Sequence, residues 1–194
     1  MPHPTRPTRA RLVDAAAELL RRQGLPGTGV KQILSAAEAP FSSLYHHFPG
    51  GKEELAAEAI RTAGDWYQEH VQDAWDAAPD LPGSITAIFD GAAQELIASD
   101  YADACPIATV ALEVASTSEP LRLATAGVFD AWIAGASARL TAAGIDEDRA
   151  VDLARTIIAL LEGAFILARA SKTTDPMHAA RQAALILVNH NSDT

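Results

Sequence analysis

Five side chains that can form hydrogen bonds stand within six positions of one another in the first quarter of this 194-residue chain: Ser42, Ser43, Tyr45, His46 and His47. Hydroxyl and imidazole groups of this kind can bond to phosphate oxygens and to the edges of nucleic-acid bases. A proline, which is welcome at a helix start, stands two positions before the cluster, and lysines lie on both sides of it. This combination is suited to contact with a polyanion.

Metal binding and catalysis are the alternative chemistries for such residues. Adjacent side chains on a helix, such as His46 and His47, point about 100° apart, and no cysteine or acidic residue stands at ligand spacing from them. The sequence has no serine or cysteine nucleophile motif, and its glycine-rich run at residues 24–29 follows a helical pattern rather than a strand. We therefore expect no enzyme activity, no metal site and no cofactor.

Charge is divided unevenly along the chain. Residues 1–52 carry seven Lys/Arg and three Asp/Glu, a net charge of +4, whereas residues 53–194 carry eight basic and 22 acidic residues, a net charge of −14. A basic segment attracts a polyanion and an acidic one repels it. Only the N-terminal segment is therefore expected to approach nucleic acid.

The cellular compartment is indicated by what the sequence lacks. The single cysteine, Cys105, excludes an internal disulfide, and there is neither a leader peptide nor a run of 18 or more apolar residues. The length is sufficient to bury a real core. We expect a soluble cytoplasmic protein without membrane contact.

Short helices must position the polar cluster. An apolar stripe from Leu12 to Leu20 predicts a first helix that starts near Thr8 and stops at Gly24. Thr28 is predicted to be the N-cap of a second helix of about two turns. The chain then breaks before Pro40, which is predicted to start a third helix over residues 40–48, with Leu44 and Phe48 in the core. The run Pro-Gly-Gly at residues 49–51 ends that helix.

The remainder of the chain also reads as helical. Lys52 opens a long fourth helix, and further helices are predicted from Ser84, Ile107, Ser118, Asp146 (as a cap) and Thr174, with no strand-like alternation and no internal repeat. The fold class is therefore all-α with nine helices. Two domains are expected, residues 1–51 and residues 52–194.

Three short helices with an abrupt break between the second and third form a helix-turn-helix pattern, whose third helix enters the DNA major groove. At residues 12–55, and above all in the run LYHHFPGGKEEL at Leu44–Leu55, the sequence resembles the TetR family of transcriptional regulators. The Ala-Pro pair at residues 39–40 and the Pro-Gly-Gly run look most like the LmrA/YxaF-like subgroup.

The resemblance implies a homodimer whose two helix-turn-helix heads read a palindromic operator in double-stranded DNA. It implies a repressor whose helical body binds a small-molecule effector and releases the DNA. By position, Tyr45 and Lys52 resemble phosphate clamps, Thr28 a cap that offers amides to a phosphate, and Lys31 a backbone contact. Groove-facing positions fall to the start of the third helix and to its exposed face: Pro40, Phe41, Ser42, Ser43 and His46.

Phe41 departs from the family pattern, since many relatives carry Lys or Arg there. An apolar ring suits contact with a thymine methyl group rather than with guanine. Phe41 could alternatively stack on Tyr45 one turn later, and the Tyr45 ring could simply cover the core.

An effector pocket is implied in the helical body. Trp66, Phe89, Trp132 and Phe165 lie where the resemblance places it, although large aromatic residues can equally fill a core. Cys105 precedes a helix start, and either a sensor thiol or a small buried side chain fits that position. Glu162 lies in an apolar stretch and could meet a polar ligand group or be partly solvated. The tentative pocket residues are thus Trp66, Phe89, Cys105, Trp132, Glu162 and Phe165.

The last two helices carry more apolar residues than a terminal pair needs in a monomer: Ile157, Leu160, Leu161, Phe165, Leu185, Ile186, Leu187 and Val188. The resemblance makes this pair the dimer interface, a four-helix bundle of both chains. A helical adaptor that binds a protein partner without specific DNA binding is the alternative function, and the acidic body would suit it.

Overall fold

The structure, a computed structural model, describes residues 6–114 and 116–189. In these ranges the chain forms nine α-helices and no strand, which confirms the predicted all-α class. The helices are α1 Thr8–Gly27, α2 Val30–Ala36, α3 Ser42–His47, α4 Gly51–Ala77, α5 Leu81–Ala98, α6 Pro106–Val114, α7 Glu119–Ala142, α8 Glu147–Ser171 and α9 Asp175–Asn189.

Helix α1 is interrupted at the glycine where the sequence predicts its end. Gly24 has φ 66° and ψ −175°, a conformation open essentially to glycine alone, and a further short turn carries the helix to Gly27. The inward face of α1 consists of Leu12, Val13, Ala16 and Leu20, all at most 5% exposed. The apolar stripe therefore packs as its spacing predicts, and the interruption redirects the chain toward α2.

Helix α2 starts one residue later than predicted. Its N-cap is Gly29, whose backbone N–H donates to Gln32 Oε1 at 2.8 Å, so the prediction that Thr28 caps α2 is wrong. The third helix begins at Ser42 rather than Pro40, because Pro40 and Phe41 form a turn closed by the bond from Ser43 N to Pro40 O at 2.9 Å.

Caps set the starts of two helices in the remainder of the chain. The Asp146 side chain accepts from the N–H of Arg149, which confirms the predicted start of α8. Asp80 accepts from the N–H of Gly83 at 2.7 Å, so α5 starts before Pro82 instead of after it. A proline in the first helical turn is tolerated because the N–H that it lacks has no partner within the helix. Of the described helices, none combines the length and the hydropathy that crossing a lipid bilayer requires.

The chain forms two compact units. The first unit contains the residues up to Trp66 together with Pro106–Val128, and the second contains Tyr67–Cys105 together with the residues from Phe129 onward. The division lies within α4, while the domain boundary predicted at residues 51 and 52 coincides with the start of that helix. In the second unit, α5, α8 and α9 pack around a core that includes Ile85, Phe89, Leu140, Met177 and Val188.

Candidate DNA-binding surface and ligand cavity

Helix α3 buries one face and presents the other to solvent. Leu44 and Phe48 are 1% and 0% exposed, which confirms their predicted place in the core. Phe41 and Tyr45 are 61% and 55% exposed, and their rings lie 6.1 Å apart at an angle of 56°. The remaining predicted contact residues of this segment, Pro40, Ser42 and His46, are exposed, and Ser43 is partly so. The exposed face thus combines hydroxyl, imidazole and aromatic groups.

Arg11 of α1 holds the turn between α2 and α3. Its Nε donates to the carbonyl of Ala37 at 2.8 Å, and one of its terminal nitrogens donates to the carbonyl of Glu38 at 3.2 Å. Glu38 has φ 49°, so the chain turns through the left-handed region here. The guanidinium satisfies carbonyls at the end of α2 and thereby fixes the angle at which α3 leaves it. The sequence gives Arg11 only as one of several basic residues and does not indicate this role.

Arg9 joins α1 to two other helical segments of the first unit. Its guanidinium lies 5.0 Å from the centre of the Phe48 ring, and it pairs with Glu58 of α4 at 2.5 Å. The hydrogen bond from Arg9 lowers the pKa of Glu58 below its ordinary value. Arg9 therefore orders the end of α3 and is occupied by a carboxylate within the same unit.

The residues predicted to contact phosphates differ in their exposure and in the hydrogen bonds that they form. Lys31 is exposed at the start of α2. Thr28 is 1% exposed and its hydroxyl donates to the carbonyl of Gly24 at 2.6 Å, so it cannot offer the amides of α2 in the way expected. Lys52 is partly exposed and its Nζ donates to the carbonyl of Leu25 at 2.7 Å. Its phosphate contact stays a prediction.

The peptide groups of Leu25 are held on both sides, directly after the interruption in α1. Glu113 of α6 accepts from the Leu25 N–H at 2.7 Å, while Lys52 of α4 donates to the Leu25 carbonyl. Leu25, Lys52 and Glu113 all belong to the first unit. Oppositely charged side chains thus fix the segment that leads from α1 into α2, and with it the placement of the helix-turn-helix. Sequence spacing carries no signal for Glu113, which is 88 residues from Leu25.

The second unit contains a partly open cavity of about 230 Å³. Its walls come from α4, α5, the loop before α6, α7 and α8, and they are mainly aliphatic and aromatic. The aromatic side chains that line it are Tyr67, Trp75, Trp132 and Phe165. A concave, mostly apolar site with a few polar groups is typical of small-molecule binding.

Four of the six predicted pocket residues line this cavity: Cys105, Trp132, Glu162 and Phe165. Trp66 and Phe89 do not line it. Phe89 is 1% exposed within the core of the second unit, and Trp66 lies on another face of α4, 45% exposed. The large apolar side chains that α4 contributes to the wall are Tyr67, Val71 and Trp75, whose i, i+4, i+8 spacing is the signal that could have found them.

Glu162 is a partly buried carboxyl in this wall. Burial raises the pKa of its carboxyl to about 7, and the hydrogen bond from Cys105 offsets only part of that rise. Cys105 itself is 8% exposed and is the single cysteine of the chain. In the described part of the chain no group of three or more His, Cys, Asp or Glu is placed to hold a metal ion.

Helices α8 and α9 divide their apolar residues between the core and the surface. Ile157 and Val188 are 8% and 2% exposed and belong to the core of their own unit, so they do not face a partner as predicted. The exposed apolar residues of these two helices are Ile166, Leu167, Ile186 and Leu187, between 38% and 61% exposed. Exposed apolar side chains on two helices that pack together make this pair a candidate interface.

Comparisons with known proteins bear on both regions. A family model described as "Bacterial regulatory proteins, tetR family" matches residues 12–59. A second, described as "Transcriptional regulator LmrA/YxaF-like, C-terminal domain", matches residues 83–183. The first match contains α2, α3 and the start of α4, and the second contains most of the cavity wall.

Similar proteins have been described in several bacteria. The HTH-type transcriptional regulator LmrA of Bacillus subtilis is 31% identical over 170 residues, which cover 88% of this chain and 90% of LmrA. An uncharacterized HTH-type transcriptional regulator of Mycobacterium tuberculosis is 36% identical over 174 residues, 87% of this chain and 88% of that protein. These relatives and families are regulators of transcription and not enzymes.

Solved structures show the same fold. A TetR regulator from Legionella pneumophila superposes with a TM-score of 0.80 at 23% identity, and it covers 92% of this chain and 95% of its own. Reduced NemR of E. coli gives a TM-score of 0.79 at 22% identity with the same coverage. The chain therefore belongs to the TetR family of DNA-binding transcriptional regulators, and its C-terminal region is of the LmrA/YxaF-like type.

Proposed function

We propose that this regulator is a repressor that binds a palindromic operator as a homodimer and is released by a lipophilic or aromatic small molecule. The observation that carries the proposal is the apolar cavity of about 230 Å³ in the second unit. Helix α4 supplies part of its wall and starts directly after the helix-turn-helix. One helix therefore belongs to both the ligand site and the DNA-binding unit.

Release of DNA follows from differential binding. An effector that prefers the form of the protein unable to bind operator shifts the population toward that form. Operator affinity then falls by no more than the ratio of the effector's affinities for the two forms. A movement of α4 that changes the spacing of the two heads in the dimer is the structural change that we assign to this shift.

The exposed face of α3 reads the operator. Ser42, Ser43 and His46 take base-edge contacts, Phe41 contacts a thymine methyl group, and Tyr45 contacts a phosphate through its hydroxyl. These roles are supported by the exposure of all five side chains, partial for Ser43, on a helix anchored by Leu44 and Phe48.

The homodimer forms through α8 and α9. Support comes from the exposed apolar residues Ile166, Leu167, Ile186 and Leu187 on these two neighbouring helices. A two-fold axis beside this pair would bury them in a four-helix bundle of both chains.

The salt dependence of operator binding tests the proposed contacts between the helix-turn-helix and the DNA phosphates. Fluorescence anisotropy with labelled DNA from the region flanking the gene gives the slope of log K against log salt concentration. Lys31→Met removes one phosphate contact per protomer and should lower that slope by about 2 for the dimer. Lys172→Met is the matched control, because Lys172 is an exposed lysine of the second unit that pairs with Asp100.

Equal slopes for the two variants would refute the contact by Lys31. Effector control is tested separately by thermal-shift screening of lipophilic compounds, followed by anisotropy with the compounds that stabilise the protein. Stabilising compounds that bind the cavity should weaken operator binding, and cavity binding that leaves operator affinity unchanged would refute the regulatory proposal.

A further inference from the structure

The cavity of the second unit is lined by acidic side chains and aromatic rings, surroundings that favour a positively charged ligand. Glu162 of α8 lines the wall, and Phe165, one helical turn later, lines it as well. The side chains of Trp132, Tyr67 and Trp75 complete an aromatic surface from α7 and α4. The Tyr67 and Trp132 rings lie 6.4 Å apart at an angle of 74°.

Within the described ranges this carboxyl has no counter-ion, since no lysine or arginine there forms a salt bridge with Glu162. The arginine of the wall, Arg139, is occupied by Asp76 in a two-pronged ion pair and lies 5.9 Å from the centre of the Trp75 ring. The hydrogen bond to Glu162 comes from the neutral thiol of Cys105. An acid held in an apolar wall without a cation binds most favourably to a ligand that supplies one.

We infer that the cavity selects lipophilic cations, with Glu162 as the counter-ion of an ammonium group and the aromatic rings as its walls. Aromatic faces attract ammonium groups most strongly where water is excluded. A carboxylate adds charge complementarity that neutral ligands of the same shape cannot use. The inference rests on the proposed effector cavity and specifies the class of molecule that enters it.

The protonation of Glu162 should make the affinity of the cavity for a cation depend on pH. The raised pKa of about 7 means that Glu162 is largely protonated at pH 6 and largely ionised at pH 8. A cation binds the ionised form, so its affinity should rise about tenfold across this interval. The other ionisable or charged side chains that face the cavity are His70 of α4, Glu95 of α5, Asp103 and Cys105 of the loop before α6, and Arg139 of α7.

The test compares two probes of nearly equal shape, benzyltrimethylammonium and neopentylbenzene, in which a carbon atom replaces the charged nitrogen. Calorimetric titration of the full-length protein without DNA, at pH 6 and pH 8, gives both affinities. The ammonium probe carries a permanent charge, so any pH dependence comes from the protein. We expect its affinity to rise about tenfold with pH and that of neopentylbenzene not to rise.

Two variants test whether Glu162 causes the pH-dependent binding of the ammonium probe. Glu162→Gln keeps the shape of the side chain, should bind the ammonium probe at least tenfold more weakly at pH 8, and should lose the pH dependence while still binding neopentylbenzene. Glu147→Gln removes an exposed carboxylate of the same helix that does not line the cavity, and it should leave both affinities unchanged.

Equal affinities of the wild-type protein for the two probes would overturn the inference. A pH dependence that survives in Glu162→Gln would assign it to another group of the wall and would overturn it too. Selective ammonium binding that leaves operator affinity unchanged would support this inference while refuting the effector role of the cavity.

Discussion

Replacing Gly24 with alanine tests the link between the interruption in α1 and the placement of the helix-turn-helix. Gly24 is buried and has φ 66° and ψ −175°. A Cβ atom there would stand 2.1 Å from Glu113 Oε1, well inside contact distance. The substitution therefore strains the backbone and displaces the carboxylate that holds the Leu25 N–H.

The expected cost is the sum of two effects. A non-glycine residue in this backbone region costs about 1–3 kcal/mol. The hydrogen bond between Glu113 and the Leu25 N–H, 2.7 Å long and exposed, contributes about 1 kcal/mol. Gly24→Ala should thus lower the free energy of unfolding by about 2–4 kcal/mol, a shift of about 1–2 M in the urea midpoint.

Urea titrations followed by circular dichroism, at one fixed protomer concentration, measure this shift. Gly127→Ala is the matched control, because Gly127 lies inside α7 of the same unit and no described atom stands within 4 Å of the position that an alanine Cβ would take. That control should gain up to about 1 kcal/mol from the higher helix propensity of alanine. Glu113→Ala in the Gly24→Ala background isolates the backbone strain.

A loss below about 0.5 kcal/mol for Gly24→Ala would refute the reasoning, because the backbone term alone exceeds it. Operator affinity provides the functional measurement. It should fall in Gly24→Ala at temperatures where the protein is still folded, and it should be unchanged in Gly127→Ala.

Two further predictions concern the DNA-binding surface and the proposed dimer interface. Phe41→Ala should reduce the preference for T·A at one position per half-site by about 1 kcal/mol. Replacing that thymine with uracil, which lacks the methyl group, should weaken the binding free energy of the wild-type protein by a similar amount. A variant whose base preference is unchanged in binding-site selection would contradict the methyl contact. Leu167→Glu places a charge at a position of α8 that is 61% exposed, and light scattering at micromolar concentration should report a monomer. Leu112→Glu, on α6 at a position that is 75% exposed, is the control and should stay dimeric like the wild type. A dimer of Leu167→Glu would argue against the interface.

The fold could be predicted where short-range signals decide the structure. The stripe of α1, the glycine that interrupts it and the Asp146 cap of α8 each act within one or two helical turns, and all are found as expected. Leu44 and Phe48 were also predictable, because helices as short as α3 are stable only when their apolar side chains are buried.

Sequence patterns do not predict the start of a helix where two nearby residues are equally good N-caps and tertiary contacts determine which of them is used. Thr28 and Gly29 are both acceptable caps, and the extra turn of α1 beyond Gly24 decides for Gly29 by engaging the Thr28 hydroxyl. Asp80 and Ser84 are likewise both acceptable caps of α5. Asp80 prevails, and Ser84 is 2% exposed with its hydroxyl bonded to the carbonyls of Trp75 and Asp80.

Helical phase, rather than the position that the resemblance assigns, determines which residues of α4 line the cavity. Trp66 is larger than Tyr67, yet the two side chains diverge by about 100° and only Tyr67 shares a face with Trp75. Contacts between residues far apart in sequence, such as that of Glu113 with Leu25, leave no periodic signal at all.

The positive charge of the N-terminal segment is largely used in folding contacts, and this makes dimerisation a condition of DNA binding. Arg6 and Arg21 pair with Asp14 and Glu18, two acids that the formal charge of +4 already counts, whereas Arg9 pairs with Glu58 of α4, which neutralises one further positive charge. Lys31 is exposed, and Lys52 keeps two donors beyond its bond to Leu25. One head with so few phosphate contacts would bind weakly, whereas two heads held on one dimer bind the second half-site as an intramolecular step. In the proposed dimer, affinity for the operator is thus controlled by the geometry of the two heads, and this geometry is the property that the proposed effector would have to alter in order to release DNA.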